Sequence, residues 1–266
     1  MRFIKPGLLA VIVLEIASIF FMLHIYNKIV ADPKNYTSVS LVSRSTKKII
    51  SNNLFDDFLP VADNIPKILP ELRSALPKKF IIEDVPFTVQ SPDSKWDEYG
   101  EESCEEMSEI IVDRYWRNLP LNRTIGLVER NKLIEYEIKN YGGFRDENAE
   151  QVAQRLREYF GYSDVEVIYD FTLEELKREI IKGRPIIVPA AGRRLNNPYF
   201  TQPGPLYHNL VIIGYDGDEI VTNDSGIGRG KGYRYNENVL YNAIHDFPGS
   251  KENIEEGRKA MIIVKN

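Results

Sequence analysis

The chain has 266 residues, of which 43% are hydrophobic and 11% aromatic, so it can bury a sizeable core. Its net charge of −5 at pH 7 argues against a nucleic-acid partner, because domains that bind nucleic acids are usually basic. One cysteine excludes an internal disulfide, and one cysteine with three histidines is too few for a Cys/His metal cluster. We therefore expect no metal and no cofactor.

An almost wholly apolar run, residues 7–26, is long enough to cross a bilayer core of about 30 Å as a helix. Two basic residues precede it, which favours a cytoplasmic N-terminus and an exported C-terminal part. Glu15 is unfavourable, since a charge at mid-membrane costs ~2.5–3.5 kcal/mol on insertion scales. A cleaved signal peptide is the alternative, but residues 29–31 form a poor cleavage site. We expect residues 1–31 to hold an uncleaved anchor.

Residues 32–78 are polar and contain repeated prolines, and they carry no recognisable chemistry. This composition predicts a linker or stalk. The globular domain is expected to follow, over residues 79–266.

Within that domain, helices are predicted mostly before strands. Extended pieces are expected at 80–82 and 85–87. Helices are expected from residue 104, over 125–140, from 146 or 148 to 160, over 172–182 and over 237–246. Strands are expected at 165–169, 185–189, 206–214, 219–223 and 260–264. The order predicts an α+β fold with a mostly antiparallel sheet.

The single cysteine, Cys104, lies where one of these helices begins. Ser103 and Glu106 have the spacing of a capping box, with Ser103 at the N-cap, which places Cys104 at the first helical position. The positive end of the helix dipole stabilises a thiolate there, so Cys104 is a candidate nucleophile. A buried structural cysteine is the alternative that this segment alone leaves open.

Catalysis by cysteine needs a base, a group that orients the base, and donors for the oxyanion. His208 opens a strong predicted strand, and Asp224 ends the strand that returns beside it. Gln90 lies upstream of Cys104, and its amide could donate to an oxyanion beside the Cys104 backbone N–H. These four residues are the candidate catalytic set.

Five motifs follow one another along the domain. They are Val85-Pro86-Phe87-x-x-Gln90, Trp96-Asp97, Cys104-Glu105-Glu106, His208-x-x-Val211-x-x-Gly214-Tyr215-Asp216 and Asn223-Asp224-x-Gly226. Their order and spacing resemble the bacteriocin-processing-like (double-glycine-type) cysteine peptidases of the papain-like superfamily, over about residues 79–266. The resemblance implies a papain-like fold in which the helix that carries the cysteine packs on the sheet. It implies Cys104 as nucleophile, His208 as base, Asp224 as orienting group and Gln90 in the oxyanion hole.

The sequence also departs from the exporter-linked members of that family. No transporter is present, a long insert separates Gln90 from Cys104, and Glu105-Glu106 replaces the usual Gly-Pro. Processing of double-glycine leaders is therefore not implied. The insert and the helix start hold eight acidic residues over 93–109. They form either a solvated helix start or a cleft rim that prefers basic substrates.

The sequence therefore predicts a membrane-anchored thiol peptidase that acts on peptides or proteins outside the cytoplasm. Two alternatives remain open. One is a papain-like cell-wall amidase or transglutaminase-like enzyme, and the other is a non-catalytic module that binds peptides.

The residue that orients His208 depends on the register of the predicted hairpin. A two-residue turn at 216–217 puts Asn223 on the face of His208, because side chains alternate along a strand. A three-residue loop, 215–217, puts Asp224 directly opposite His208. We predict the three-residue loop, with Gly214 paired to Asp218, and Asp224 as the partner.

Overall fold

Residues 76–265 are described by the computed structural model of this protein. The predicted anchor, and the linker up to residue 75, lie outside these residues. The segment Leu76–Asn266 forms one compact unit. Within residues 76–265, no helix combines the length and apolarity needed to cross a bilayer.

Helices dominate the first half of this unit, as the capping and apolar spacing predict. They are α1 (Glu98–Glu101), α2 (Cys104–Trp116), α3 (Arg123–Tyr141), α4 (Ala149–Glu158), α5 (Leu173–Ile180) and α6 (Glu237–Ala243). The capping box predicted at Thr172 is present, since the side chains of Thr172 and Glu175 each accept a bond from the other's backbone N–H. The box predicted at Ser103 is wrong. Ser103 is the N-cap, but its hydroxyl donates to the carbonyls of Tyr99 and Gln90.

Seven strands form one sheet among the described residues. They are β1 (Lys79–Ile81), β2 (Val165–Tyr169), β3 (Ile186–Ala191), β4 (Tyr207–Asp216), β5 (Glu219–Asn223), β6 (Lys231–Asn236) and β7 (Ala260–Val264). The order is β2-β7-β3-β4-β5-β6, and β1 pairs with the end of β4. All pairs are antiparallel. The predicted α+β class and antiparallel sheet are therefore confirmed, whereas β6 was not predicted.

The core lies around α2 and the central strands. β3 and β7 are buried along their whole length, and β4 is buried except at its last residue. The sequence of such a fully buried strand is a continuous apolar run, without alternation of apolar and polar residues. The helix α2 packs against β3 and β4, and its first ten residues are all buried. The nucleophile candidate thus opens a central helix, not a surface one.

The hairpin of β4 and β5 differs from the predicted register. Asp216 pairs with Glu219, so the connection is the two residues Gly217 and Asp218, and the predicted three-residue loop is wrong. A β-bulge then follows, because Ile213 is an extra residue between the pairs Ile212–Thr222 and Gly214–Val221. Side chains alternate along a strand, so the extra residue shifts the pairing of β4 with β5 by one. The β4 side chains on the far side of the bulge therefore face the opposite way relative to β5.

Candidate active site

Cys104 is the first residue of α2 and is nearly buried, with 5% of its surface exposed. Its Sγ donates a hydrogen bond to Oε2 of Glu105 over 2.9 Å. The backbone of Asn209 on β4 also lies close to the sulfur. The start of α2 therefore holds the thiol against β4, next in sequence to His208.

The surroundings of this thiol favour its protonated form. Burial raises the pKa of Cys104 well above its usual range, and Glu105 raises it further through its charge and its hydrogen bond. The charge of Glu106 acts in the same direction, while the Asn209 N–H opposes it. These effects favour the neutral thiol of Cys104, contrary to what the helix dipole alone predicts.

His208 and Asp224 form a buried pair. Nε2 of His208 lies 2.8 Å from Oδ1 of Asp224. The bulge at Ile213 makes this contact possible, since the register beyond it pairs Val211 with Asn223. The next residue, Asp224, then lies on the same face as His208, because side chains alternate along a strand. The predicted contact exists, but across a diagonal rather than between directly opposed residues.

The protonation of this pair follows from its bonds. Burial alone would raise the pKa of Asp224, but the charge of His208 and three hydrogen bonds outweigh it and lower the pKa. The carboxylate can only accept, so Nε2 of His208 carries the hydrogen. Nδ1 is left with a free lone pair, which can take a proton from a thiol.

Two residues outside the predicted catalytic set hold Asp224 in place. The hydroxyl of Tyr235 donates to Oδ2 of Asp224 over 2.5 Å, and the amide of Asn197 donates to that hydroxyl over 2.6 Å. Tyr235 lies on β6, a strand that the sequence did not predict. The alternation of Tyr233 and Tyr235 after a glycine-rich turn was the available strand signal.

Gly226 lies against the imidazole. A Cβ atom at this position would approach Cε1 of His208 to 2.7 Å, closer than any side chain permits. Its backbone N–H also donates to Oδ1 of Asp224 over 3.0 Å. The glycine in the Asn223-Asp224-x-Gly226 motif therefore has a steric reason.

Gln90 binds the insert that precedes α2. Its Nε2 donates to the carbonyls of Gly100 (3.1 Å) and Glu101 (3.0 Å), which belong to α1. Its backbone N–H donates to the carbonyl of Ser225, just after Asp224. Gln90 thus joins the insert to the strand end that carries Asp224, and its place in the oxyanion hole stays a prediction.

Asn223 was the alternative to Asp224 as the residue that orients His208, but its side chain bonds other groups. Its Nδ2 donates to the carbonyls of Val85 (3.3 Å) and Pro86 (3.1 Å), and its Oδ1 accepts the N–H of Gly232 over 3.1 Å. It therefore fixes the Val85-Pro86-Phe87 segment to the hairpin.

The acidic residues over 93–109 include an exposed group and a buried group. Asp93, Asp97, Glu98 and Glu101 are exposed, but Glu105, Glu106 and Glu109 are buried. A solvated helix start is therefore wrong for the last three. Arg155 of α4, itself fully buried, forms ion pairs with Glu109, Glu137 and Glu147. A single guanidinium thus faces several carboxyl groups inside the protein.

A helix that begins at a cysteine and packs on an antiparallel sheet defines the papain-like fold. The model of the Peptidase_C39 like family matches residues 82–245, well over half of the chain, and the chain belongs to that family. The predicted resemblance to bacteriocin-processing-like cysteine peptidases is therefore confirmed.

One solved structure with a similar chain is that of a C39-like peptidase candidate from Bacillus anthracis. The identity is 17% and the TM-score 0.44, over 71% of this chain and 98% of that one. No curated protein matches the chain.

Proposed function

We propose that this family member is a thiol peptidase that hydrolyses peptide bonds through Cys104, His208 and Asp224. The observation that carries the proposal is the buried 2.8 Å contact between His208 and Asp224, with Cys104 on the adjoining helix start. Such a pair supplies an oriented base with a free Nδ1 atom.

The chemistry is acyl transfer. Nδ1 of His208 takes the thiol proton, and the sulfur of Cys104 attacks the peptide carbonyl carbon. His208 then gives the proton to the leaving amine, which breaks the C–N bond and leaves a thioester. Water, deprotonated by His208, hydrolyses the thioester and restores the thiol. Asp224 keeps the imidazole in the required tautomer and stabilises its charged form.

The tetrahedral intermediate needs donors for its oxyanion. The backbone N–H of Cys104 has no intrahelical partner, because it opens a helix. We assign the oxyanion to this N–H and to the amide of Gln90. Both Nε2 hydrogens of Gln90 are bonded within the insert, so substrate must displace one of them.

Activity on a peptide library tests the proposal in the full chain. Cys104→Ala and His208→Ala should each reduce cleavage to background while the circular dichroism spectrum is kept. His245→Ala is the matched control, because its ring bonds the Gly257 carbonyl and it should remain active. Cleavage by the Cys104→Ala protein would contradict the proposed nucleophile.

We also propose that residues 7–26 anchor the protein, with the peptidase domain outside the cytoplasm. The support is the apolar run and the basic residues before it. Protease added to intact bacteria should then digest the domain. Protection in intact cells, with digestion after lysis, would reverse the orientation.

Basic peptides are the substrates that we propose, because four acidic side chains of residues 93–101 are exposed beside the start of α2. Peptides with Lys near the cut should be cleaved faster than matched Glu peptides, and salt should reduce the difference. Equal cleavage rates for the two peptides at low salt would contradict the proposed preference for basic substrates.

A non-catalytic binding module is the second candidate, and the bond between the thiol and Glu105 favours it. Turnover that depends on Cys104 separates the two. Product analysis on peptides and on peptidoglycan separates a peptidase from a cell-wall amidase.

A further inference from the structure

We propose that Glu105 is a positioning residue that holds Cys104 as a neutral thiol in the resting enzyme. On this proposal the thiol becomes reactive only when its hydrogen bond to Glu105 is broken. The inference rests on the proposed peptidase function, but it concerns the proton on the sulfur, which can be measured without any substrate.

The carboxylate of Glu105 is held at both oxygens. Oε2 accepts the thiol over 2.9 Å, and Oε1 accepts the backbone N–H of Glu147 over 3.2 Å. The carbonyl of Glu147 in turn accepts the hydroxyl of Tyr207 over 2.6 Å. Glu105 is 1% exposed, so this is a built acceptor and not a mobile surface side chain.

The charges around this pair come from α2 itself and from two further elements. Glu106 lies on the same helix, Asp146 on the loop before α4, and Arg155 on α4. Burial and then Glu106 raise the pKa of Glu105, whereas Arg155 lowers it. Burial and then the charge of Glu105 raise the pKa of Tyr207 on β4, so its hydroxyl stays neutral.

The hydrogen bonds separate the two halves of the proposed triad. The proton of Cys104 points to Glu105, while the hydrogen of His208 points to Asp224. Tyr207 and Asn209 lie on the face of β4 opposite to His208, since side chains alternate along the strand. In the proposed mechanism, activation moves one proton from Sγ of Cys104 to Nδ1 of His208. Glu105 then no longer accepts a hydrogen bond from the S–H group.

Cys104 is the only cysteine, so ultraviolet thiolate absorbance of the full-length protein reports this one group. Glu105→Gln keeps the shape but removes the charge, and its amide can donate to the sulfur. We expect the thiolate midpoint to fall by about one pH unit or more, and alkylation by iodoacetamide at neutral pH to quicken about tenfold. Cys104→Ser supplies the blank.

Glu101→Gln is the matched control, because Glu101 belongs to the same acidic stretch but is exposed. It should leave the midpoint unchanged. A Glu105→Gln protein that titrates like the wild type would overturn the proposal. If that variant fails to fold, the frequency of the infrared S–H stretch of the wild type tests whether the thiol is hydrogen-bonded. We expect a frequency below that of free cysteine in water, and an unshifted band would equally overturn it.

The outcomes distinguish this inference from the proposed function. The Glu105→Gln protein could show a lowered thiolate midpoint while neither it nor the wild type cleaves peptides. That result would contradict the proposed peptidase function and support the proposed role of Glu105. Cleavage that depends on Cys104, together with an unchanged midpoint, would remove only the role of Glu105.

Discussion

The imidazole of His208 is confined on several sides. Asp224 bonds its Nε2 atom, the ring of Phe200 packs at 5.3 Å between centroids, and the backbone of Gly226 leaves no room for a Cβ atom. A base that must exchange a proton with a neighbouring sulfur gains from this confinement, because little reorientation is left to the reaction.

Gly226→Ala should disrupt this arrangement. The added Cβ atom would overlap Cε1 of His208, so the ring has to move and its bond to Asp224 is strained. We expect kcat/KM to fall by about tenfold or more, as small displacements of catalytic groups produce. Gly228→Ala is the control, because a Cβ atom there meets nothing within 4 Å. Equal activity of the two variants would refute the steric argument.

Tyr235→Phe should weaken the orienting group without touching the imidazole. It removes a donor to a buried carboxylate, a bond of the kind that contributes ~1.5–3 kcal/mol. We expect kcat/KM to fall about tenfold. Because the Tyr235 bond lowers the pKa of Asp224, its loss should also move the acid limb of the pH profile to higher pH.

Tyr233→Phe, on the same strand, serves as the comparison for this variant, since the bond to Asp224 comes from Tyr235. A pH profile of Tyr235→Phe that superimposes on the wild type would show that Tyr235 has only a packing role.

At the scale of elements, the hairpin of β4 and β5 shows what a sequence can and cannot predict. The apolar runs identified both strands, and the strands at 165–169 and 260–264 were predicted with their observed bounds. The bulge was not predictable, because Ile212 and Ile213 are both apolar and either could be the extra residue. A one-residue difference in register decides between Asn223 and Asp224 as the partner of His208.

Burial of the acidic residues of α2 could not be predicted for a different reason. Arg155 pairs with Glu109, and its charge also acts on Glu105 and Glu106. It lies on another helix, far along the chain, and only the packing of α2 against α3 and α4 brings it near. Without that partner, Glu105, Glu106 and Glu109 look like solvated side chains.

Asn223→Ala and Asp224→Ala should therefore differ in kind. Asn223 satisfies the carbonyls of Val85 and Pro86, so its loss should lower the free energy of unfolding by ~1–3 kcal/mol and leave kcat within a few-fold. Asp224→Ala should lower kcat/KM by about 10³-fold or more. Denaturant unfolding and peptide kinetics of both variants measure this. The reverse pattern would mean that Asn223 orients His208.

For the molecule as a whole, the buried carboxyl groups around Arg155 make folding depend on pH. Burial and then the charge of Glu106 raise the pKa of Glu137 to about 10, and burial raises that of Glu109 to about 7. Unfolded glutamates titrate near pH 4.3, so between these values the folded state binds more protons. Its free energy of unfolding therefore decreases as the pH rises through this window.

Glu137→Gln should flatten this dependence, because the amide keeps the shape of the carboxyl group but does not titrate. We expect a Tm within about 3 °C of the wild type near pH 5, and a relative gain for the variant at mildly alkaline pH. Thermal unfolding at several pH values measures it. Glu135→Gln, exposed on the same helix, is the control. Parallel curves for the wild type and Glu137→Gln would contradict the assignment.

The position of β7 has a consequence for biogenesis. β7 is the last strand in chain order, yet it lies between β2 and β3, and β2 joins the sheet only through it among the described residues. During synthesis on the ribosome, β2 therefore cannot join the sheet before residues 260–264 have been added to the chain.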